Sequence, residues 1–308
     1  MTLETDLLLD RRRLKRRLVC WRSFAVLAVV AALLVSVRGG GLPVGGAHVA
    51  RLPITGLITE DRKLTEAIDK LASDSSVKAL IVAIDSPGGT VSGGESLHNA
   101  IARVAAKKPV VAVMGGVAAS AGYMIAVSTE RIFARDSTLT GSIGVLLETG
   151  EVSGLLEKIG ITAEAVVSGP LKDQPSLTHK MSEQGRTVLH GLVQDMYDQF
   201  VGMVATGRHM APEAVRKVGD GRAYTGRQAL ALGLVDQIGE ERDARVWLEV
   251  NKGVDAKLPV EDVSTTTLLS RTLASNLGPL FDGVWKTVVS QSLRLDGAWA
   301  VWQRTDER

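Results

Sequence analysis

A mixed α/β architecture is predicted for residues 48–255 by two features of the sequence. Short aliphatic runs recur along this stretch, and between them apolar residues fall at helical spacing. The runs are continuous rather than alternating, the pattern of strands covered on both faces by helices. Hydrophobic residues make up 45% of the 308 positions, ample for a core, and aromatics only 4%, so that core is aliphatic.

Taken in order, "HVARLPITGLI" from His48 reads as a strand. "DRKLTEAIDKLAS" spaces Leu64, Ile68 and Leu71 at i, i+4 and i+7, an amphipathic helix. "VKALIVAIDS" is a buried strand ending in the loop "SPGGTVSGG", and "ESLHNAIARVAAKK" a helix with Leu97, Ile101 and Val104 on one face. "PVVAVMGG" is a further buried strand, which leads into "GGVAASAGYMIAVST". "RIFARDSTLTGSIGVLLE" holds two short strands, "SGLLEKIG" a helix and "ITAEAVVSG" a strand. The longest helix is "SEQGRTVLHGLVQDMYDQFVGMVATG", followed by short helices at "EAVRKVG" and "GRQALAL". "GLVDQIG" and "ERDARVWLEVN" close the domain near residue 252.

The ends differ from this body. Residues 1–17 form a basic tail containing "RRRLKRR", and the whole stretch to Arg22 carries +4 of a net charge of +2, which leaves the remainder at about −2. The body is therefore not a nucleic-acid-binding surface. Residues 18–37 are an apolar run of 20, roughly 30 Å of helix, long enough for a hydrocarbon core with Arg22 snorkelling at its cytoplasmic end. No A-x-A-like cleavage site follows the run, which favours a retained anchor over a removed signal peptide. Basic residues before the span place the amino terminus inside and the body outside the cytoplasm. Residues 38–47 read as a Gly-rich linker and 48–255 as the folded domain. The extension 256–308 holds Trp285, Trp299 and Trp302 and reads as a packing or self-association segment. The single cysteine, Cys20, excludes an internal disulfide.

Two loops leave the ends of apolar strands, "DSPGG" (85–89) and "GGVAAS" (115–120), where α/β sheets bind ligands. Ser120 sits among small residues where a strand passes into a helix. It reads equally as a helix cap or as a nucleophile favoured by the helix's free N–H groups. A base could be a histidine, with Asp136 or Asp173 and His179, His190 or His209 completing a triad. It could instead be a lysine: Lys158 lies on an amphipathic helix, while Lys172 lies in the Gly/Pro-punctuated loop "SGPLKDQPS". His98, beside the apolar face at Leu97 and Ile101, reads as structural. No phosphate-binding glycine motif and no metal-ligand spacing occur, so no cofactor is implied.

Together "DSPGG", "VAASAGYMIA", "DSTLTGSIGV", "SGPLKD" and "DGRAYTGRQALALGLVDQIG" resemble, in order over about residues 50–250, the short form of the signal peptide peptidase A family. That family comprises membrane-anchored bacterial Ser–Lys proteases with a ClpP/crotonase-like repeated β-β-α superhelix. The resemblance implies Ser120 as nucleophile, Lys172 as general base and acid, and Ser142 as the residue orienting the lysine. It implies an oxyanion hole from backbone N–H groups of Gly88, Gly89 and Ala121. Family members often have glycine at the position of Ala121 and a second aromatic at that of Met124. Short members look like homo-oligomeric rings whose neighbouring chains complete each site.

The expected function is then a single-pass endopeptidase of the bacterial inner membrane, its catalytic domain periplasmic, that cleaves hydrophobic, signal-peptide-like remnants. Its partners would be those peptides, the membrane through residues 18–37, and further copies of itself. The alternatives are a related Ser–Lys protease acting on one membrane protein, an acyl-thioester hydratase on the same fold, and a non-catalytic membrane scaffold.

Overall fold

A computed structural model describes residues 21–27, 46–263 and 299–301. The chain divides into two compact units at Gly46/Ala47. Of the expected anchor only 21–27 is described, as an exposed helical stretch; the rest of 18–37, the basic tail and most of the linker and of the carboxy-terminal extension lie outside the described residues. Among the described residues no helix is long and apolar enough to cross a membrane.

The body is the α/β unit expected. Strand β1 (His48–Ile58) leads to helix α1 (Arg62–Leu71), then β2 (Val77–Thr90), α2 (Val91–Ala105) and β3 (Val110–Ala119). Next come the six-residue α3 (Ala121–Ala126), β4 (Arg131–Ala134), β5 (Leu139–Gly141) and α4 (Ser153–Lys158). The long α5 (Glu183–Arg208) is followed by α6 (Pro212–Val218), β6 (Ala223–Thr225), α7 (Gly226–Ala231), β7 (Gln237–Ile238), α8 (Glu241–Lys252) and β8 (Val260–Asp262). A last strand, β9 (Trp299–Val301), belongs to the carboxy-terminal segment.

The sheet runs β6-β5-β3-β2-β1-β8, and β1, β2 and β3 are mutually parallel. Such pairs need crossover helices, which α1 and α2 supply. Alternate residues of the strands feed two cores, which is why their sequences are apolar without a break. Leu80, Val82 and Ile84 of β2 face the larger core with Leu97, Ile101, Tyr123 and Phe200. Ala79 and Ile81 face a smaller one with Phe133, Ala244 and Leu248 under α8.

One edge of β3 carries two successive partners. Val111–Val113 pair with β4, and Val117–Ala119 pair with β5. The change falls at Gly115 and Gly116. There Thr138 Oγ1 donates to Gly115 O at 2.7 Å, and the Asp85 carboxylate accepts the Val117 N–H at 3.0 Å.

Four expectations need correction. "GGVAAS" is not a loop: β3 runs on to Ala119, and Val117, Ala118 and Ala119 pair with β5. "PGGT" is not a loop: β2 continues through it because Leu57 and Ile58 of β1 pair with Gly88 and Gly89. Helix α2 then begins at Val91 rather than Glu95, capped by Thr90 Oγ1, which accepts the Gly93 N–H at 3.1 Å. "ITAEAVVSG" is not a strand. Residues 161–167 carry no regular structure, Val166 is 98% exposed, and no described strand pairs with them. An apolar run makes a strand only where a neighbour accepts its backbone hydrogen bonds.

Candidate active site

The site is built where β3 hands over to α3. Ser120 occupies the junction with φ 54° and ψ −119°, a backbone conformation that non-glycine residues rarely adopt. Its N–H donates to Gly141 O on β5, and its carbonyl accepts the Met124 N–H, both at 2.9 Å. Those two bonds hold the strained residue in place. Although Ser120 occupies the N-cap position, its hydroxyl makes no cap bond. Ser120 is 1% exposed, and among the described residues its Oγ has no hydrogen-bond partner. A buried hydroxyl without a partner costs about 1–3 kcal/mol. The capping role therefore falls, and a hydroxyl kept ready for a partner from outside the described chain stands.

The small residues around it are demanded by packing. A Cβ on Gly94 of α2 would come within 3.0 Å of both Ala121 Cβ and Met124 Sδ. One on Gly122 would lie 3.2 Å from Ser86 O. The backbones of α2, β2 and α3 thus meet closely around Ser120. All six residues of α3 are buried.

Of the expected oxyanion donors, Ala121 is the first helical residue, so its N–H has no intrahelical carbonyl to bond. Gly88, with φ 117°, directs its N–H to Ser86 Oγ at 3.1 Å, and the Ser86 hydroxyl donates to Gly56 O at 2.6 Å. Service to an oxyanion would exchange that bond. Gly89 packs on β1 so tightly that a Cβ would lie 1.8 Å from Ile58 O. Gly89→Ala is therefore expected to lower the melting temperature by about 5 °C, from overpacking of about 1–3 kcal/mol. It should also disturb the site, since the "PGG" backbone must move. Thermal unfolding monitored by circular dichroism checks the first effect, and an unchanged midpoint would contradict it.

Ser142 is brought to the same place. Ala119 pairs with Gly141, whose carbonyl binds Ser120, and Ser142 follows directly. It is 6% exposed with φ 48°, and its N–H donates to Arg222 O at 3.0 Å. Lys172 is not brought there. It lies exposed in the turn after Gly169, and because Ser120 Oγ has no partner, the ammonium is not within hydrogen-bonding reach of it. The same fact removes the histidine triads within one chain. Asp173 and His179 do approach each other, at 3.4 Å, but Asp136 is held by Arg227, and none touches Ser120. Among the described residues no three His, Cys, Asp or Glu side chains gather as a metal-ligand set.

Sequence reasoning missed the residues that fix α3 from behind. Tyr123 is fully buried, donates its hydroxyl to Leu234 O at 2.8 Å, and burial pushes its pKa up. Next to it Arg208, at the end of α5, forms a two-pronged pair with Asp236 at 2.6 and 2.8 Å and donates to Gly233 O at 3.0 Å. Asp236 also accepts the Ile132 N–H at 2.8 Å. Burial alone would raise the Asp236 pKa, yet the Arg208 hydrogen bonds and charge outweigh it and hold it low. His98 Nδ1 lies 2.8 Å from Met124 O; burial is the larger influence and lowers its pKa, so the neutral ring donates to that carbonyl. Only its i+1 and i+3 spacing to Leu97 and Ile101 hinted at this.

With that geometry in view, the comparisons with known proteins fall into place. A family model described as Peptidase family S49 matches residues 102–255, which include Ser120, Ser142 and Lys172. A Synechocystis sp. protein named as a protease is 38% identical over 242 residues, covering 75% of this chain and 87% of that protein. A signal peptide peptidase SppA of Enterococcus faecium is 39% identical over 203 residues, covering 65% and 58%. Protease 4 of Salmonella typhi is 39% identical over 172 residues, which are 56% of this chain and 28% of that one. Among solved structures, ClpP1 of Listeria monocytogenes superposes with a TM-score of 0.41 at 20% identity, over 63% of this chain and 93% of that one. The match of the S49 model across the buried serine and its neighbours, and the near-full coverage of the Synechocystis relative, make this chain a member of Peptidase family S49, a protease of the serine type.

Proposed function

We propose that the protein is a membrane-anchored endopeptidase that uses a Ser120–Lys172 dyad assembled between neighbouring copies of the chain. The observation that carries this reading is the buried Ser120 Oγ without a partner, held at positive φ beside the open N–H groups of α3. In one chain Lys172 lies on an exposed turn away from Ser120, and contact with a second copy would bring it to the buried hydroxyl. In support, the arm between β5 and α5 exposes Val152, Leu155, Ile159, Ile161, Val166 and Leu177, a surface suited to a partner.

In this mechanism neutral Lys172 takes the proton of Ser120 Oγ as the oxygen attacks the peptide carbonyl. Ser142 orients the ammonium, and N–H groups of Ala121 and the "PGG" strand receive the oxyanion. The lysine then protonates the leaving amine, and water releases the acyl group. Hydrophobic peptides such as signal-peptide remnants are the proposed substrates, and an anchor at the apolar run 18–37 would put the reaction on the outer side of the cytoplasmic membrane.

The test is covalent labelling of detergent-solubilised protein by a serine-reactive probe, read by intact mass. Wild type is expected to take one probe per chain, and Ser120→Ala and Lys172→Ala none. Labelling that persists in Ser120→Ala, or a folded wild type that takes no probe, would overturn the reading.

A further inference from the structure

Strands β2 and β3 do not keep step as they approach the site. Ile84 pairs with Met114, but the next pair is Ser86 with Ala118, so β2 advances from 84 to 86 while β3 advances from 114 to 118. Gly115, Gly116 and Val117 thus form a bulge that faces Asp85. Bulges beside active sites re-aim the side chains that follow them. Here the bulge is followed, three residues after Val117, by Ser120. Side chains alternate along a strand, so one residue more or less in the bulge would turn the rest of β3 to the opposite face.

The Asp85 side chain fills that bulge. A Cβ on Gly115 would come within 3.0 Å of Asp85 Cβ and Cγ, and one on Gly116 would lie 3.6 Å from its Oδ1. The same oxygen accepts the Val117 N–H at 3.0 Å, a donor for which the bulge leaves no paired residue in β2. The opposite edge of β3 is fastened as well: Thr138 Oγ1 donates to Gly115 O and Thr140 Oγ1 to Ala118 O, both at 2.7 Å. From Val117 onward β3 pairs with β5 as far as Ala119 and Gly141, and Gly141 O takes the Ser120 N–H. Asp85 is itself exposed, so it adds little buried area, and what it supplies is an acceptor at a fixed reach.

We propose that Asp85 is a positioning residue for the reaction: its carboxylate fixes the length of the β3 bulge and thereby the pose in which Ser120 is delivered to the site. The inference rests on the reading of Ser120 as nucleophile given above. Ser120 holds a rare backbone conformation, which persists only where its surroundings over-determine it. Asp85 supplies that constraint on the β2 side and Thr138 and Thr140 on the β5 side. A misplaced nucleophile attacks more slowly but does not loosen the grip on the peptide, so the loss falls on kcat and not on KM.

The experiment compares full-length wild type with Asp85→Ala, which removes the acceptor, Asp85→Asn, which keeps Oδ1 without the charge, and Asp85→Glu, which keeps the charge but is one methylene too long for the space beside Gly115. The readouts are kcat and KM on a fluorogenic hydrophobic peptide, the rate of probe labelling at Ser120, and hydrogen exchange over residues 115–122. Asp85→Ala and Asp85→Glu are expected to lower kcat and the labelling rate together by about 10- to 100-fold at unchanged KM, with faster exchange over 115–122. Asp85→Asn should stay within about threefold of wild type on every readout, because the acceptor to Val117 survives. Should Asp85→Ala fail to fold, the contrast between Asp85→Asn and Asp85→Glu carries the same test. Wild-type kcat, labelling and exchange in the folded variants, or Asp85→Asn as impaired as Asp85→Glu, would overturn the positioning role while leaving the protease intact. Absence of cleavage and labelling in every folded form, wild type included, overturns both.

Discussion

An equimolar mixture of Ser120→Ala and Lys172→Ala chains, each expected to be inactive alone, is expected to regain about a quarter of wild-type peptidase activity once the subunits have exchanged. With random neighbours, about one site in four pairs an intact serine with an intact lysine from the next chain. The expectation follows from two facts about the single chain. Ser120 Oγ is buried without a partner, and Lys172 sits exposed on a separate turn. A dyad closed within one chain gives no recovery, since neither mutant carries both groups. Activity of the mixture relative to wild type, measured after dissociation and reassembly, separates the two arrangements. No recovery in assemblies shown to be mixed by mass would rule out the shared site.

The second large effect is on stability. Arg208→Met is expected to destabilise the body by about 3 kcal/mol, the low end for a broken buried pair. The low end applies because the Asp236 side chain keeps 25% exposure while that of Arg208 keeps 8%. For a unit of this size that is a fall in melting temperature of roughly 9 °C. The pH dependence has a definite sign. The Asp236 pKa is lower in the folded protein, so its contribution is present above the ordinary carboxylate range and is lost as pH falls through the folded value. Wild type should therefore lose stability toward acid more steeply than Arg208→Met. Parallel stability curves of the two proteins between pH 7 and pH 3 would show that Asp236 does not carry the effect.

Much of this architecture is written locally. Unbroken aliphatic runs at 79–84 and 110–114 announce strands buried on two sides, and Leu64, Ile68 and Leu71 announce a helix before any partner is known. The motifs singled out Ser120, Ser142 and the "PGG" segment, and the pairing of β3 with β5 brings the backbones of the two serines close. What sequence could not supply depends on partners distant along the chain. Gly88 and Gly89 look like a loop until Leu57 and Ile58 are set beside them. "ITAEAVVSG" looks like a strand, yet nothing described pairs with it. The Arg208–Asp236 clamp joins residues 28 positions apart, and His98 reaches the Met124 carbonyl from another helix. Neither pattern leaves a period to read.

The complete burial of α3 has a consequence for how the protein tolerates change. From Ala121 to Ala126 there is no position at which a side chain can be enlarged without disturbing the larger core. Along this helix loss of catalysis and loss of the folded state therefore arrive together, and a survey of random variants would find few that are stable but inactive. The turn bearing Lys172 stands at the other extreme, since its exposed side chain is packed into nothing that the single chain needs. Selection on the nucleophile side is thus selection on the fold itself, whereas on the lysine side it acts on function and leaves the fold of the single chain untouched.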